Sequence, residues 1–209
     1  MPGDFFALAE ARLLFDVPGG LTDPRVIPRY GHDEEPAVLA AIAAVRPIRT
    51  AAVLVPVIAR AEPTVLLTQR TGHLLDHARQ IAFPGGKIEA GDANPAAAAL
   101  REAEEEIALD RRFVEPIGYL DVHTTPSGYR ILPVVARVRE GFSLRLNRGE
   151  VNEAFEVPLA FLMAPQNHNR EKADWNGLIT SVYAIPFNDR KIWGVTAGIL
   201  RNLDRKSVV

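Results

Sequence analysis

The sequence GKIEAGDANPAAAALREAEEEIAL, residues 86–109, carries the clearest pattern in this chain. Leu100, Ala103 and Ile107 recur at intervals of three and four residues, which at about 100° per residue places them on one helix face. Asn94 suits the N-cap, and Pro95 suits the first helical position, where its missing N–H group needs no partner. The stretch therefore predicts an amphipathic helix over about residues 95–107 that packs on a core.

Three carboxylates share the opposite face of this predicted helix. Glu102, Glu105 and Glu106 are spaced so that their charges repel unless a cation lies among them. A hard divalent ion such as Mg²⁺ takes oxygen ligands and would remove that repulsion. A solvated face, with Arg101 paired to Glu105, would give the same pattern without a metal. The segment FPGG at residues 83–86 favours the metal site, because it predicts a turn at which backbone can approach a ligand.

These residues resemble the Nudix box, whose pattern is G-x5-E-x7-R-E-U-x-E-E-x-G-U with U an aliphatic residue. The second half of the pattern is matched in register by Arg101, Glu102, Ala103, Glu105, Glu106 and Leu109. Two positions depart from it: Ala108 replaces a glycine, and Gly86 lies one residue further from Arg101 than the pattern specifies. The resemblance implies a hydrolase that cleaves a diphosphate bond with Mg²⁺ or Mn²⁺.

The resemblance also implies roles for the box residues. Glu102 and Glu106, one helical turn apart, are the expected principal metal ligands. Glu105 is expected to be a third ligand or the group that orients the attacking water. The backbone carbonyl of Gly86 is a further expected ligand, and Arg101 is expected to fix Glu105.

Nudix enzymes often recruit another glutamate from a later loop as base or ligand. Glu150 and Glu153 are the candidates, and Glu150 fits the position better because it lies at the start of the segment that leads into residues 155–159. Glu89 and Asp92 lie near the first acidic position of the box. The extra residue leaves open which of them matches it, and both could be solvated loop residues.

The residues before the box are similar to those of the coenzyme A pyrophosphatase subfamily. Its pattern L-L-T-x-R-[SA]-x3-R-x3-G-x-[VIL]-[AS]-F-P-G-G runs over residues 66–86 without a gap, with further matches that extend the resemblance over roughly residues 50–203. Three positions depart from the pattern: Thr71 replaces Ser or Ala, Leu75 replaces Arg, and Arg79 replaces Gly. The resemblance implies cleavage of coenzyme A to 3′,5′-ADP and 4′-phosphopantetheine.

Four residues are expected to contact the substrate: Arg70, His77, Arg79 and Tyr129. For His77 a role in holding its own loop is the alternative. Because an arginine is the natural partner of the 3′-phosphate of coenzyme A, the changes at residues 75 and 79 are expected to move or abolish that contact. The alternative is that Leu75 packs and Arg79 is a solvated loop residue. Acyl-coenzyme A, ADP-ribose, NADH or a nucleoside triphosphate therefore stay open as substrates, and a non-catalytic nucleotide sensor is a further alternative.

Composition narrows the class of protein. The formal net charge of −2 predicts no general attraction to nucleic acid or to an anionic membrane. The absence of cysteine excludes disulfides and thiolate metal sites and fits the cytoplasm. The N-terminal residues make a poor signal peptide, and the apolar stretch at 51–59 is far shorter than the roughly 20 residues of a membrane span. A homodimer is an expectation from the family alone.

The remaining patterns predict the organisation of the chain. Residues 1–48 are expected to form an N-terminal helical extension, with helices over 4–15 and 36–45, that packs on a Nudix domain over residues 49–209. The predicted strands are 51–58, 64–68, 116–120, 131–138 and 178–185, with a strand end and a short helix over 157–162, a loop over 166–177 and a closing helix over 192–204. Strands interleaved with few helices predict an α+β fold, an α/β/α sandwich around a mixed sheet.

Overall fold

A computed structural model of the chain describes residues 2–26, 40, 44–45, 47–72, 79–175 and 177–208. The described helices are α1 (Pro2–Arg12), α2 (Pro95–Ile107), α3 (Leu159–Leu162) and α4 (Val195–Val208). The described strands are β1 (Arg49–Ile58), β2 (Thr64–Arg70), β3 (Ile81–Ala82), β4 (Gly85–Lys87), β5 (Val114–Tyr119), β6 (His123–Thr124), β7 (Tyr129–Val138), β8 (Val151–Pro158), β9 (Asn169–Trp175), β10 (Leu178–Phe187) and β11 (Arg190–Trp193).

Within the described residues, strands β1 to β8 form one mixed sheet. Strand β1 lies at its centre and pairs in parallel with β7 along its whole length. On the other side of β1, the antiparallel strand β2 pairs in turn with β3 and β8. Strands β5 and β6 pair with β7, and the short strand β4 pairs with β1 just before the chain enters α2.

Side chains alternate between the two faces of the sheet along the central strands, and both faces are buried under helices. On one face, Val55 and Val57 belong to an apolar cluster that includes residues of α1, α3 and α4. On the other face, Ala52 and Leu54 pack with the inward side of α2, where small residues let the helix approach the sheet. The predicted α/β/α sandwich around a mixed sheet is confirmed.

A second, antiparallel sheet has the order β11-β10-β9 in the described part of the chain. The predicted loop over residues 166–177 is wrong, because β9 pairs with β10 from Asn169 to Trp175. Its polar sequence NREKADW gives no apolar alternation, since this edge strand exposes most of its side chains and is held by backbone hydrogen bonds.

Other predicted boundaries move in the structure. The closing helix starts at Val195 and not at residue 192, because residues 190–193 form β11 against β10. The predicted turn at residues 83–86 is partly strand, since β4 begins at Gly85. The predicted helix over 36–45 lies mostly outside the described residues, and the boundary at residue 48 stays a prediction. No described helix combines the length and the apolar character needed to cross a membrane.

Candidate active site

Helix α2 is fixed at both ends. The Asn94 side chain accepts a hydrogen bond of 2.9 Å from the Ala97 N–H, as the N-cap pattern predicts. The helix ends at Ala108, whose φ of 53° and ψ of 35° lie in the left-handed region. These contacts set the height and rotation at which the helix presents its carboxylates.

Glu102 lies against the glycines of β4. A Cβ atom on Gly86 would overlap the Glu102 carboxylate, so only glycine leaves room for that side chain. The side chain of Glu102 is 15% exposed, and burial raises its pKa, with the negative charges of Glu105 and Glu150 adding to the effect. The site therefore contains a mostly buried carboxylate next to backbone, which is costly unless a cation or a proton compensates it.

Glu106 lies deeper, with 5% of its side chain exposed. Burial raises its pKa to about 8, and the charges of Glu102 and Glu150 act in the same direction. The opposing influence is chiefly the positive charge of Arg70, whose Nη1 lies 4.0 Å from Glu106 Oε1. Glu102 and Glu106 thus share one low-dielectric pocket beside β4.

Arg101 organises the acidic residues around it. Its guanidinium binds both carboxylate oxygens of Asp92, at 3.0 and 3.1 Å, and donates to the Lys87 carbonyl oxygen at 3.1 Å. The same side chain contacts Glu102 at 2.9 Å and Glu105 at 3.2 Å. Asp92 is nearly buried and also accepts from the backbone of the preceding turn, so it is a structural partner of Arg101 and not a solvated loop residue.

Glu150 reaches the same place from a different part of the chain. Asn147 ties its loop to the end of α2, since the Asn147 N–H donates to the Glu106 carbonyl oxygen at 2.8 Å. The Asn147 side chain donates to Glu150 Oε1 at 3.0 Å, and the Thr71 N–H donates to the Glu150 carbonyl oxygen at 2.9 Å. Glu153 points elsewhere and pairs with Arg190 at 2.8 Å. Of the two candidates, the structure brings Glu150 near Glu102 and Glu106.

Comparison with known proteins agrees with this architecture. Residues 48–176 match the NUDIX domain family. The chain belongs to the Nudix family. A protein of Escherichia coli strain K12 named "Uncharacterized Nudix hydrolase NudL" is 41% identical over 155 residues, which cover 74% of this chain and 81% of that protein. A protein of the same name in Shigella boydii serotype 18 matches with the same identity and coverage.

A solved Nudix-type structure shares the fold. The crystal structure of the MutT protein from Methanosarcina mazei Go1 aligns with a TM-score of 0.50 over 79% of this chain and 100% of that chain, at 15% identity. At that identity the likeness concerns the fold alone. Nudix proteins act as hydrolases on diphosphate compounds and generally use divalent metal ions such as Mg²⁺ or Mn²⁺.

The Nudix carboxylates suit a divalent cation by their chemistry. In the described ranges no three His, Asp or Glu side chains already surround one point at metal-binding distance. Instead, Arg101 holds Glu102 and Glu105, and Arg70 approaches Glu106. Glu102 and Glu106 are nonetheless oxygen donors in a poorly hydrated pocket, where a bound cation would offset their mutual repulsion. The donor set therefore fits the ion that the Nudix family uses.

The expected substrate contacts are distributed unevenly around this Nudix site. Arg70 is the last residue of β2 and lies beside Glu106. Arg79 is exposed and lies two residues before β3, the strand that pairs with β2. Tyr129 starts β7 and lies under the Arg49 guanidinium, 5.5 Å from the ring centroid. Its alternation with Ile131 places it on the sheet face that carries α1 and α4, away from α2. His77 lies outside the described residues, as does Leu75.

Two features of this Nudix site were not resolved by sequence reasoning. Asp92 pairs with Arg101, whereas the sequence did not distinguish Asp92 from the exposed Glu89 as the residue at the first acidic position of the box. The tether at Asn147 was not foreseen, because its backbone partner is the Glu106 carbonyl oxygen on α2, about 40 residues earlier in the chain.

Proposed function

We propose that this protein hydrolyses the diphosphate bond of coenzyme A or of its derivatives, releasing 3′,5′-ADP and a 4′-phosphopantetheine. The observation that carries diphosphate hydrolysis is the pair of buried carboxylates Glu102 and Glu106 on α2. Glu102 lies against Gly86 of β4, and Asn147 ties the Glu150 loop to the Glu106 carbonyl oxygen. Coenzyme A as substrate rests on the residues before the box, which resemble the coenzyme A pyrophosphatase pattern over positions 66–86.

The site needs a divalent cation to perform this reaction. Glu102 and Glu106 would hold Mg²⁺ or Mn²⁺, with Glu105 and the carbonyl oxygen of Gly86 as further ligand candidates. When bound, the cation would neutralise charge on the phosphate oxygens and would lower the pKa of the attacking water. The burial of Glu102 and Glu106 excludes most bulk water, which strengthens their attraction for the ion.

Glu150 is proposed as the general base. Asn147 fixes its carboxylate on one side, which leaves the other oxygen free to accept a proton from the attacking water. Glu105 is the alternative group for orienting that water, because its side chain is 57% exposed and Arg101 holds it at 3.2 Å. Arg101 itself acts by positioning the glutamates, since four protein groups already occupy its guanidinium.

Arg70 is proposed to bind the diphosphate. Its guanidinium lies at the end of β2 next to Glu106, and at 4.0 Å the pairing is loose enough for a phosphate oxygen to replace it. His77 is retained as a proposed substrate contact. Tyr129 is retained as one only for a part of the substrate that extends past the sheet face away from α2. His77→Ala and Tyr129→Phe test the two. We also propose a cytoplasmic location and a homodimer.

A second candidate keeps the chemistry and changes the substrate. The changes at residues 75 and 79 alter the charge pattern of the segment before the box, so ADP-ribose, NADH or a nucleoside triphosphate are the competing substrates. A nucleotide sensor without catalysis is the remaining alternative. It is disfavoured because a domain that only binds does not require the complete set of Glu102, Glu105 and Glu106.

The deciding experiment is product analysis with purified protein. Coenzyme A, dephospho-coenzyme A, ADP-ribose and NADH are incubated separately with Mg²⁺ or Mn²⁺, and Glu106→Gln is the control. Release of 3′,5′-ADP with a preference over dephospho-coenzyme A, lost in the variant, is the expected result. Preference for ADP-ribose or NADH would overturn coenzyme A as substrate. Binding without turnover under either metal would leave only the sensor.

A further inference from the structure

Arg79 has an unusual backbone conformation. Its φ is 59°, in the left-handed region, and among the described residues only Ala108 and Asn188 share a positive φ without being glycine. A long side chain with a Cβ atom is disfavoured there, and glycine is the residue that adopts it readily. Outliers of this kind are concentrated at functional sites, where the surrounding structure compensates the strain.

The conformation directs the Arg79 side chain across the hairpin. The Arg70 N–H donates to the Gln80 carbonyl oxygen at 3.0 Å, which closes the hairpin base between β2 and β3. Arg79 then lies opposite Gly72, so close that a Cβ atom on Gly72 would lie 3.3 Å from Arg79 Nε. A Cβ atom at position 72 would force the Arg79 side chain to shift by a few tenths of an ångström, and a larger side chain would shift it further. The missing side chain of Gly72 therefore leaves the space that the Arg79 side chain occupies.

The Arg79 cation is separate from the one beside the carboxylates. Arg70 approaches Glu106 and therefore lies where the diphosphate would be cleaved. Arg79 lies beyond Gln80 on the same hairpin and is exposed to solvent. The Arg70 guanidinium lies beside the acidic residues, and the Arg79 guanidinium is exposed to solvent on the same hairpin. This arrangement suits a substrate that carries a second anionic group at a distance from its diphosphate. A guanidinium binds a phosphate monoester through two parallel hydrogen bonds.

We propose that Arg79 is a specificity-determining residue that binds the 3′-phosphate of a nucleoside 3′-phosphate, while Arg70 serves the diphosphate. This inference rests on the proposed hydrolysis of coenzyme A and assigns the part of the substrate that Arg79 contacts. Gly72 is the positioning partner, because its missing side chain leaves the space over which Arg79 extends.

The first test compares two substrates that differ only in the 3′-phosphate. The ratio of kcat/KM for coenzyme A to that for dephospho-coenzyme A is measured for wild type, Arg79→Lys, Arg79→Ala, Arg79→Gly and Gly72→Val. Loss of a charge-assisted, two-point contact predicts a fall in this ratio of roughly 10- to 100-fold in Arg79→Ala and Arg79→Gly. Arg79→Lys should fall less, because it keeps a point charge, and Gly72→Val should fall although Arg79 is intact.

Arg112→Ala is the matched control. It removes the same charge from the surface turn after α2, where Arg112 pairs with Asp110, and should leave the ratio unchanged. An unchanged ratio in Arg79→Ala, or an equal loss with both substrates, would overturn the proposal while the hydrolase function stands. If the wild type cleaves neither substrate but cleaves ADP-ribose or NADH, the proposed function itself fails.

A second test does not depend on turnover. Calorimetric binding of 3′,5′-ADP and of 5′-AMP, neither of which has a diphosphate bond to cleave, is measured for wild type and Arg79→Ala. Wild type should bind 3′,5′-ADP at least about 10-fold more tightly than 5′-AMP, and Arg79→Ala should lose that difference. Equal affinity of the wild type for the two nucleotides would overturn the proposal. Circular dichroism verifies that each variant is folded.

Discussion

The backbone of Gly86 lies against the carboxylate of Glu102, so close that a Cβ atom at position 86 would overlap both carboxylate oxygens. Gly85, one residue earlier, faces backbone: a Cβ atom there would overlap the Ala52 carbonyl oxygen and the Val53 Cα atom. Two neighbouring glycines of β4 therefore exclude side chains for different reasons. A side chain at position 86 would displace a candidate metal ligand, whereas a side chain at position 85 would disrupt the pairing of β4 with β1.

The pair Gly86→Ala and Gly85→Ala should separate activity from stability. In Gly86→Ala the flexible Glu102 side chain can turn away, so the melting temperature should change little while kcat/KM falls about 100-fold through misplacement of the carboxylate. Gly85→Ala meets rigid backbone at a φ of 158°, so it should lower the free energy of unfolding by about 2–3 kcal/mol. Kinetics and urea unfolding of both variants test this. Equal destabilisation by the two substitutions would contradict it.

Asp92→Asn should reduce catalysis through Arg101. The amide cannot replace the two-point carboxylate contact, so the guanidinium loses its anchor and Glu102 and Glu105 become less well placed. We expect metal affinity or kcat to fall about 10- to 100-fold, as for other groups that orient metal ligands. Mn²⁺ titration calorimetry and steady-state kinetics measure the two effects.

Glu89→Gln is the matched control for this variant, because Glu89 is exposed and contributes its backbone N–H, not its carboxylate, to Asp92. It should leave both quantities close to wild type. Restoration of activity by Asp92→Glu would support a positioning role, whereas full activity in Asp92→Asn would show that Arg101 needs no carboxylate there.

Ala108→Gly should stabilise the protein. Ala108 ends α2 with a φ of 53°, and its N–H donates to the Glu104 carbonyl oxygen at 2.9 Å, a geometry that glycine adopts without steric penalty. The expected gain in the free energy of unfolding is about 1 kcal/mol. Urea unfolding measures it, with Ala97→Gly inside the same helix as the control that should destabilise. A loss of stability in Ala108→Gly would refute the strain at this position.

The pair of Arg60 and Glu156 should make stability depend on pH. Hydrogen bonds from Arg60, at 2.9 and 3.1 Å, and from the Thr64 hydroxyl lower the pKa of the Glu156 carboxyl below its usual range. A lowered pKa contributes stability above the unfolded value of about 4.3, and this contribution disappears as the pH falls through the lower folded value.

Glu156→Gln should therefore lower the free energy of unfolding by about 1 kcal/mol at pH 7 and by much less near pH 3. Urea titrations at both pH values supply the comparison. Glu62→Gln is the control, because Glu62 is exposed at the turn between β1 and β2. A loss of the same size at both pH values would mean that the charge of Glu156 contributes nothing.

Local sequence pattern was sufficient where one element determines its own geometry. Helix α2 was predicted over residues 95–107 because its cap, its proline and its apolar stripe all lie within a few residues of one another. The central strands were predicted because burial on both faces leaves nearly continuous apolar runs. Strand β9 was missed for the converse reason. Its exposed side chains carry no apolar signal, and its pairing with β10 is made by backbone groups that every residue possesses.

The sequence by itself determined the class of fold, the face of α2 that carries the glutamates, and the kinship of that helix with the Nudix box. The fold class follows from the order of strands and helices along the chain, and the other two follow from spacing along one segment. Only the tertiary structure decided that Glu150, and not Glu153, approaches Glu102 and Glu106, because the tether at Asn147 joins residues distant in the chain. It also placed Tyr129 on the far face of the sheet and paired Asp92 with Arg101. Such contacts depend on how separate elements pack, and no interval in the sequence encodes them.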